Sequence, residues 1–519
     1  MGIGLVLDWL NILDFKEESD VDYTDAFRRA IATIEGRKGG VLYIPSGTYD
    51  IRPVPAISLC SNLTIIGDGA QSIVRIADGT GPYKVIFGQE SSTEARIESV
   101  YFERFTINQN PVGNPVPSSS GASQFAFSFK NFSKIHFRKM EFNPTTGANA
   151  ICCNASRGTY IDTTCQDVTV EQCRFYRESP KQIYVDNSAI YLNCPGSIVS
   201  NNKFYAMGDE TTKARGCIET HGGKSVISGN YSEGYSTGVN AASRTWGKEN
   251  VDGPLISMSP ANITITGNTF TKVKKGIQLW VNHPQDNVTP ALTVEQWATH
   301  KEEIVLENVL ISNNTISVDV SDYTANPNNY AGITLAGAYQ GNRWIKNISI
   351  GTNNIIFTGK SGPTIDVDKG LVPNDFKSCY GIVFLLAINM ANIAIQNNIL
   401  SNVPLSAIYL GRLSNGGTSK VSEVQGIKIS NNIMTNCAYL KQPSSTTSFI
   451  DLRGNILGAS IQNNMMNDKF AVEKATYSIR LTPTPGKDIY IRDNVVTTKQ
   501  AVTKIKMLIA AGYEKSVKA

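Results

Sequence analysis

"VLISNNTI" (309–316) alternates apolar and polar residues, turns a two-residue polar corner at Asn313-Asn314, and returns to an apolar residue. Strict alternation is the signature of a half-buried strand. The pattern recurs as "VTVEQCRF" (168), "SIVSNNKF" (197), "ITITGNTF" (263), "IAIQNNIL" (393), "IKISNNIM" (427), "ASIQNNMM" (459) and "IYIRDNVV" (489), with weaker copies "SVISGNYS" (225) and "ISIGTNNI" (348). The second corner position falls at Cys173, Asn202, Asn230, Asn268, Asn314, Asn354, Asn398, Asn432, Asn464 and Asn494. Between corners lies a further strand, often introduced by Gly or Ala, as in "AIYLN" (189), "CIETH" (217), "GIQLW" (276), "GITLA" (332) and "FIDLR" (449). Short strands repeating every 28 to 46 residues without amphipathic helices between them predict an all-β solenoid, the parallel β-helix. No coil buries its own apolar face, so the coils must stack. The Asn corners read as structural, since Asn tolerates the left-handed conformation and bonds to neighbouring backbone.

An open coil exposes strand edges and needs a cover. "YTDAFRRAIATIEG" (23–36) supplies one, with Thr24 as the expected N-cap, Phe27, Ala30, Ile31 and Ile34 on one face and Gly36 as the stop. The expected organisation is a capping region over 1–80, coils over 81–498 and a C-terminal cap over 499–519, together one elongated domain. Long insertions are expected at 282–303, 319–331 and 358–378.

Of the 519 residues, 41% are apolar and 18% charged, which excludes a disordered chain. The net charge of +4, without a Lys/Arg-rich run, gives no sign of nucleic-acid binding and is compatible with an acidic partner. The nine cysteines lack metal-ligand spacing and fall mostly in strand-like runs, so they read as small buried hydrophobes, reduced during synthesis in a cytosol. No carboxylate cluster has calcium-loop spacing, so neither metal nor cofactor is expected. "MGIGLVLDWLNILDF" lacks a basic start and a cleavage site, and no apolar run approaches a membrane span.

The block "DYTDAFRRAIATIEGRKGGVLYIPSGTYDI" (22–51) followed by "LTIIGDGAQSIVRI" (63–76) resembles the start of pectate-lyase-like right-handed β-helix proteins. Within that superfamily the chain is most similar to phage tailspikes that degrade bacterial capsules. The resemblance implies the fold, a capsular polysaccharide as substrate, a homotrimer, and a place on the virion after synthesis in the host cytoplasm. The link to the phage tail would run through an anchor not seen in this chain. Catalytic residues vary between members of the superfamily and lie on the coils, so none is carried over.

The candidate site is "RGCIETHGG" (215–223). With Ile218 inward, alternation turns Glu219 and His221 outward. Stacked coils lie about 4.8 Å apart. The Glu219 position then reads Tyr191, Glu219, Asn240, Gln278 and Thr334 along the coils, and the His221 position reads Asn193, His221, Ala242, Trp280 and Ala336. Planar amides, a carboxylate and aromatic faces are the groups that bind sugars. Arg215, with Lys213 and Lys224, flanks the pair, and Arg244, Trp246 and His283 stand in adjoining segments. Glu219, His221 and Arg215 are the catalytic candidates. Tyr191, Asn193, Asn240, Arg244, Trp246, Gln278, Trp280 and His283 are the substrate-binding ones. Plain alternatives are a Glu bonding to a coil edge, an inert surface His, and a subunit contact at Trp280. His136, in "KIHF", reads as chemically idle.

Two chemistries cut such polymers. Hydrolysis usually needs two carboxyl groups about 5–9.5 Å apart. No second acid shares the Glu219 column, so a partner would come from Asp209, Glu210, Asp252 or Asp286. β-Elimination at a uronic acid needs a base, His221 or Tyr191, and a cation, Arg215, Lys213 or Arg244, to hold the carboxylate. Elimination is the preferred expectation. A receptor spike that binds without cutting is the third.

Overall fold

A computed structural model of the chain describes residues 9–115, 124–157, 160–162, 164–178, 188–207, 216–243, 245–248, 255–258, 261–281, 305–321, 330–337, 344–358, 379–385, 389–411, 423–438, 448–468, 477–482, 487–498, 507–508 and 516–518. These form two compact units, Met1–Tyr235 with Trp246–Met258, and Ser236–Thr245 with Ser259–Ala519. Each is built from three parallel sheets of one pattern, called A, B and C. Each coil contributes a sheet A strand, the polar corner, a sheet B strand and then a sheet C strand. This is the right-handed parallel β-helix.

In the first unit sheet A runs from Trp9–Asn11 to Val226–Ser228, sheet B from Gly47–Ile51 to Tyr231–Glu233, and sheet C from Val85–Gly88 to Gly216–Thr220. Aromatic rings fill the interior. Phe142, Phe175 and Phe204 stack coil on coil with centroids 4.6 and 4.7 Å apart. Such offset pairs favour an in-register stack. In the second unit one interior column is wholly aliphatic. Ile277, Ile333, Ile382, Ile408, Ile450 and Ile479 share one column of sheet C and are fully buried.

The helix spans Thr24–Gly36, and Phe27, Ala30, Ile31 and Ile34 are buried as the periodicity requires. Its N-terminus differs from expectation. Tyr23 holds the N-cap position, and the Asp22 carboxylate accepts from the Thr24 backbone N–H at 2.8 Å and from the Thr24 hydroxyl. Thr24 therefore lies inside the helix, and Asp22 supplies the cap chemistry, its carboxylate reaching the N–H two residues on. Chain reversal after Gly36 falls to Lys38 (φ 65°) and Gly39 (φ 143°). In the C-terminal cap region the described pieces are strands: Met507–Leu508 continues sheet C and Ser516–Lys518 continues sheet A.

The corners divide their labour between two residues. The first takes the left-handed conformation, as at Asn313 (φ 56°), Thr352 (54°), Asn397 (57°) and Asn431 (58°). The second is buried and bonds along the stack. Asn314 Nδ2 donates to Ile265 O at 3.0 Å and to Asn353 Oδ1 at 2.9 Å, and Asn353 Oδ1 also accepts from the Asn314 backbone N–H at 3.0 Å. The rung is repeated between Asn353, Asn398, Asn432, Asn464 and Asn494. In "ISIGTNNI" the buried member is Asn353, not Asn354, because the residue after left-handed Thr352 is the one turned inward.

The Gly near the start of several sheet C strands is explained by close approach. A Cβ on Gly332 would stand 2.5 Å from Ile355 Cγ2 and 2.7 Å from Gly381 O. Gly332→Ala is therefore expected to cost about 1–3 kcal/mol through overpacking, read as a lowered denaturant midpoint at unchanged slope. None of the nine cysteines is in a disulfide, and all are buried. Burial pushes the Cys173 thiol up to about 12 and Cys60 up to about 11, which leaves both as inert hydrophobes. No described helix is long and apolar enough to cross a membrane.

Candidate functional site

Glu219 lies on strand Gly216–Thr220 of sheet C, in register with Tyr191 on strand Ser188–Asn193. Ile190 pairs with Ile218 and Leu192 with Thr220, all fully or nearly fully buried, so Tyr191 and Glu219 point to the outer face. Outward does not mean exposed here. Glu219 is 5% and His221 2% exposed.

A buried carboxylate must be hydrogen-bonded. Ser188 Oγ donates to Glu219 Oε2 at 2.7 Å, and His221 Nε2 lies 3.1 Å from Glu219 Oε1. The His221 backbone N–H donates to Leu192 O at 2.8 Å, which fixes the start of the turn after the strand. The Tyr191 ring packs against the imidazole with centroids 5.2 Å apart at 50°. A carboxylate can only accept, so Nε2 is the nitrogen that donates to Glu219 and Nδ1 is the one left to act as a base. The set therefore holds a base whose tautomer is fixed by a carboxylate and whose face is held by a phenol ring. One coil earlier, Asn193 Nδ2 donates to Asn154 Oδ1 at 2.9 Å. Asn193 Oδ1 is buried without a hydrogen-bond partner among the described residues.

The second unit carries the rest of the expected columns. Asn240 pairs in register with Gln278, Gln278 with Thr334, Ala242 with Trp280 and Trp280 with Ala336. Gln278 Nε2 donates to Asn240 Oδ1 at 3.4 Å. The Lys275 ammonium sits 5.8 Å from the Trp280 ring centroid, and Trp280 Nε1 is buried without a partner among the described residues. Trp246 falls on strand Thr245–Lys248 of a small separate sheet, where Lys248 pairs with Tyr160. Lys213, Arg215, Arg244 and His283 lie outside the described residues, as do Asp209, Glu210, Asp252 and Asp286 and most of the three long insertions. Among the described residues no three His, Cys, Asp or Glu side chains gather as a metal site.

His136 stacks on Tyr101 with centroids 4.6 Å apart, and burial holds its pKa below the ordinary value. Further along the second unit the same columns hold Tyr409, Asp451 and Arg453, which with Tyr380 and Arg480 make a further group on the outer face of sheet C. Tyr409, Asp451 and Arg480 share one column.

No protein-family model and no curated protein sequence matches the chain. Solved structures do. A doubly substituted tailspike of Escherichia coli bacteriophage HK620 matches with a TM-score of 0.64 at 14% identity, covering 93% of this chain and 80% of that one. The HK620 tailspike in complex with a pentasaccharide matches with a TM-score of 0.59 at 13% identity over the same shares. A third match, at a TM-score of 0.61, is a variant in which an aspartate and a glutamate are both replaced by alanine, again with the pentasaccharide. The fold shared with phage tailspikes covers 93% of the chain.

Proposed function

We propose that this chain is a tailspike depolymerase that binds an acidic polysaccharide of a bacterial surface and cuts it, working as a homotrimer on a virion. The observation that supports this reading best is the buried Glu219–His221 pair on a sheet C strand, with Tyr191 beside it. A Glu and a His hydrogen-bonded to each other at low exposure form an acid–base pair that strand packing alone does not call for. The shared fold with a tailspike that binds a pentasaccharide supports a sugar polymer as the partner.

The favoured chemistry is β-elimination at a uronic acid. His221 Nδ1 takes the proton on the carbon α to the sugar carboxylate. The electron pair left behind forms the carbon–carbon double bond as the β glycosidic C–O bond breaks, and the departing oxygen takes a proton from Tyr191. Glu219 holds the imidazole in its basic tautomer and stabilises the imidazolium that forms. Arg215, Lys213 or Arg244 would hold the carboxylate and its enolate-like charge. Hydrolysis is the second reading. Glu219 then acts as the general acid, with its partner among Asp209, Glu210, Asp252 and Asp286. What favours it is the HK620 set, in which an Asp and a Glu are the residues replaced in complexes with the pentasaccharide.

A digest of acidic capsular polysaccharides tests both. New reducing ends together with rising near-ultraviolet absorbance from an unsaturated uronate are the expected result. Reducing ends alone would replace elimination by hydrolysis. A protein that shortens no polymer would refute the depolymerase reading.

A further inference from the structure

Asp451, on strand Ser448–Arg453 of the second unit, is 1% exposed and holds two guanidinium groups. Arg453 Nη2 lies 2.8 Å from Asp451 Oδ2, Arg453 Nε lies 3.2 Å from the same oxygen, and Arg480 Nη1 lies 3.9 Å from it. The Arg453 guanidinium lies over the Tyr409 ring at 4.9 Å, and Tyr380 packs against that ring with centroids 4.9 Å apart at 43°. Burial is the largest influence on Arg453 and works against its charge, but the hydrogen bonds it donates to Asp451 and the attraction of that carboxylate together outweigh it, so the group stays cationic. The Arg453 and Arg480 side chains keep 22% and 15% of their surface exposed.

The fold does not need this cluster. The same columns of sheet C carry Thr334, Val383, Ala336 and Leu385 on neighbouring coils. A buried ion pair adds little over apolar packing of equal volume, because desolvation consumes the Coulomb gain. What the arrangement does produce is a guanidinium with its fork fixed by Asp451 and its face fixed by Tyr409, beside a second cation. A fixed fork suits a planar carboxylate, and an adjoining aromatic surface suits sugar C–H groups.

We propose that Tyr380, Tyr409, Arg453 and Arg480 form a second polymer-holding subsite, in which the two arginines take the carboxylate of an acidic sugar. The subsite rests on the reading of the chain as a polysaccharide-acting protein, and it is separate from the Glu219 group. Asp451 is a positioning residue that orients Arg453.

The test is surface plasmon resonance of the full chain on uronate-bearing and pyruvylated capsular polysaccharides, each immobilised intact and after reduction of its carboxyl groups to alcohols. The expected wild-type result is at least one intact polymer held about tenfold or more tighter than its reduced form. The paired variant Asp451→Asn with Arg453→Gln removes the guanidinium fork without leaving a buried carboxylate deprived of its main partner, and its ratio is expected to fall below about threefold. Should that variant not fold, Arg480→Gln is read in its place, with a smaller fall in the same direction. A ratio unchanged in the variants, or the absence of any ratio in the wild type, overturns the subsite. Chain shortening is recorded on the same proteins. A collapsing ratio without shortening keeps the subsite and refutes cleavage, whereas shortening with an unmoved ratio refutes the subsite alone.

Discussion

Glu219→Gln will still bind the polymer and will cut it about 10²–10⁴ times more slowly. The substitution keeps size and hydrogen-bonding capacity, so Ser188 Oγ can still donate to the side-chain oxygen that now faces it. The other end of the side chain becomes an N–H₂ group facing His221 Nε2, 3.1 Å away in the parent. That amide must donate, which forces the imidazole proton onto Nδ1 and removes the basic nitrogen. Elimination then fails through a tautomer, with the protein otherwise intact. In the hydrolytic reading the same variant fails because an amide cannot protonate the leaving oxygen.

Glu219→Ala separates the two. It removes the carboxylate without setting a donor against Nε2, so under elimination the alanine variant outperforms the glutamine variant. Under hydrolysis both are equally slow. Initial rates of reducing-end release, with binding measured on the same preparations, carry the comparison. A glutamine variant that cuts at the parental rate removes Glu219 and His221 from the chemistry.

The fold was legible because a solenoid repeats its physics. Each coil meets the same demands, so one-residue alternation and a fixed corner sufficed to align the pairs Tyr191 with Glu219 and Gln278 with Thr334. The error at Asn354 shows the limit of that method. Two adjacent Asn residues look alike as letters, but the corner is defined by which residue adopts the left-handed backbone, and Thr352 does so without being Asn or Gly. The burial of Glu219 and His221 was not legible either. Alternation says which way a side chain points, not what lies over it. The Tyr409–Arg453 contact escaped for a third reason. It is diagonal, running between strands and two positions along, whereas column arithmetic compares only residues directly opposite each other.

Asn398→Ala will destabilise the second unit by on the order of 3 kcal/mol, far more than an exposed Asn on a strand. Asn398 is fully buried and each of its side-chain atoms serves two partners. Its Oδ1 accepts from the Asn353 backbone N–H at 3.0 Å and from Asn353 Nδ2 at 2.9 Å. Its Nδ2 donates to Ile350 O and to Asn432 Oδ1, both at 3.0 Å. Truncation leaves the Asn353 N–H buried in an apolar corner, and one such group costs about 1–3 kcal/mol. Three further bonds are lost, although Asn353 Nδ2 keeps Ile311 O, and Asn432 Oδ1 keeps the Asn398 backbone N–H. Asn398→Asp should be nearly as costly, because a carboxylate cannot donate to Ile350 O and would set a negative charge against Asn432 Oδ1 in a low-dielectric stack. Asn397→Ala is the contrasting case. Asn397 supplies the left-handed turn (φ 57°), so alanine there costs only the strain of that conformation, about 1–2 kcal/mol. Denaturant midpoints for the three variants check the ordering. If Asn398→Ala proves no more costly than Asn397→Ala, the ladder is decoration and the corners are held by backbone conformation alone.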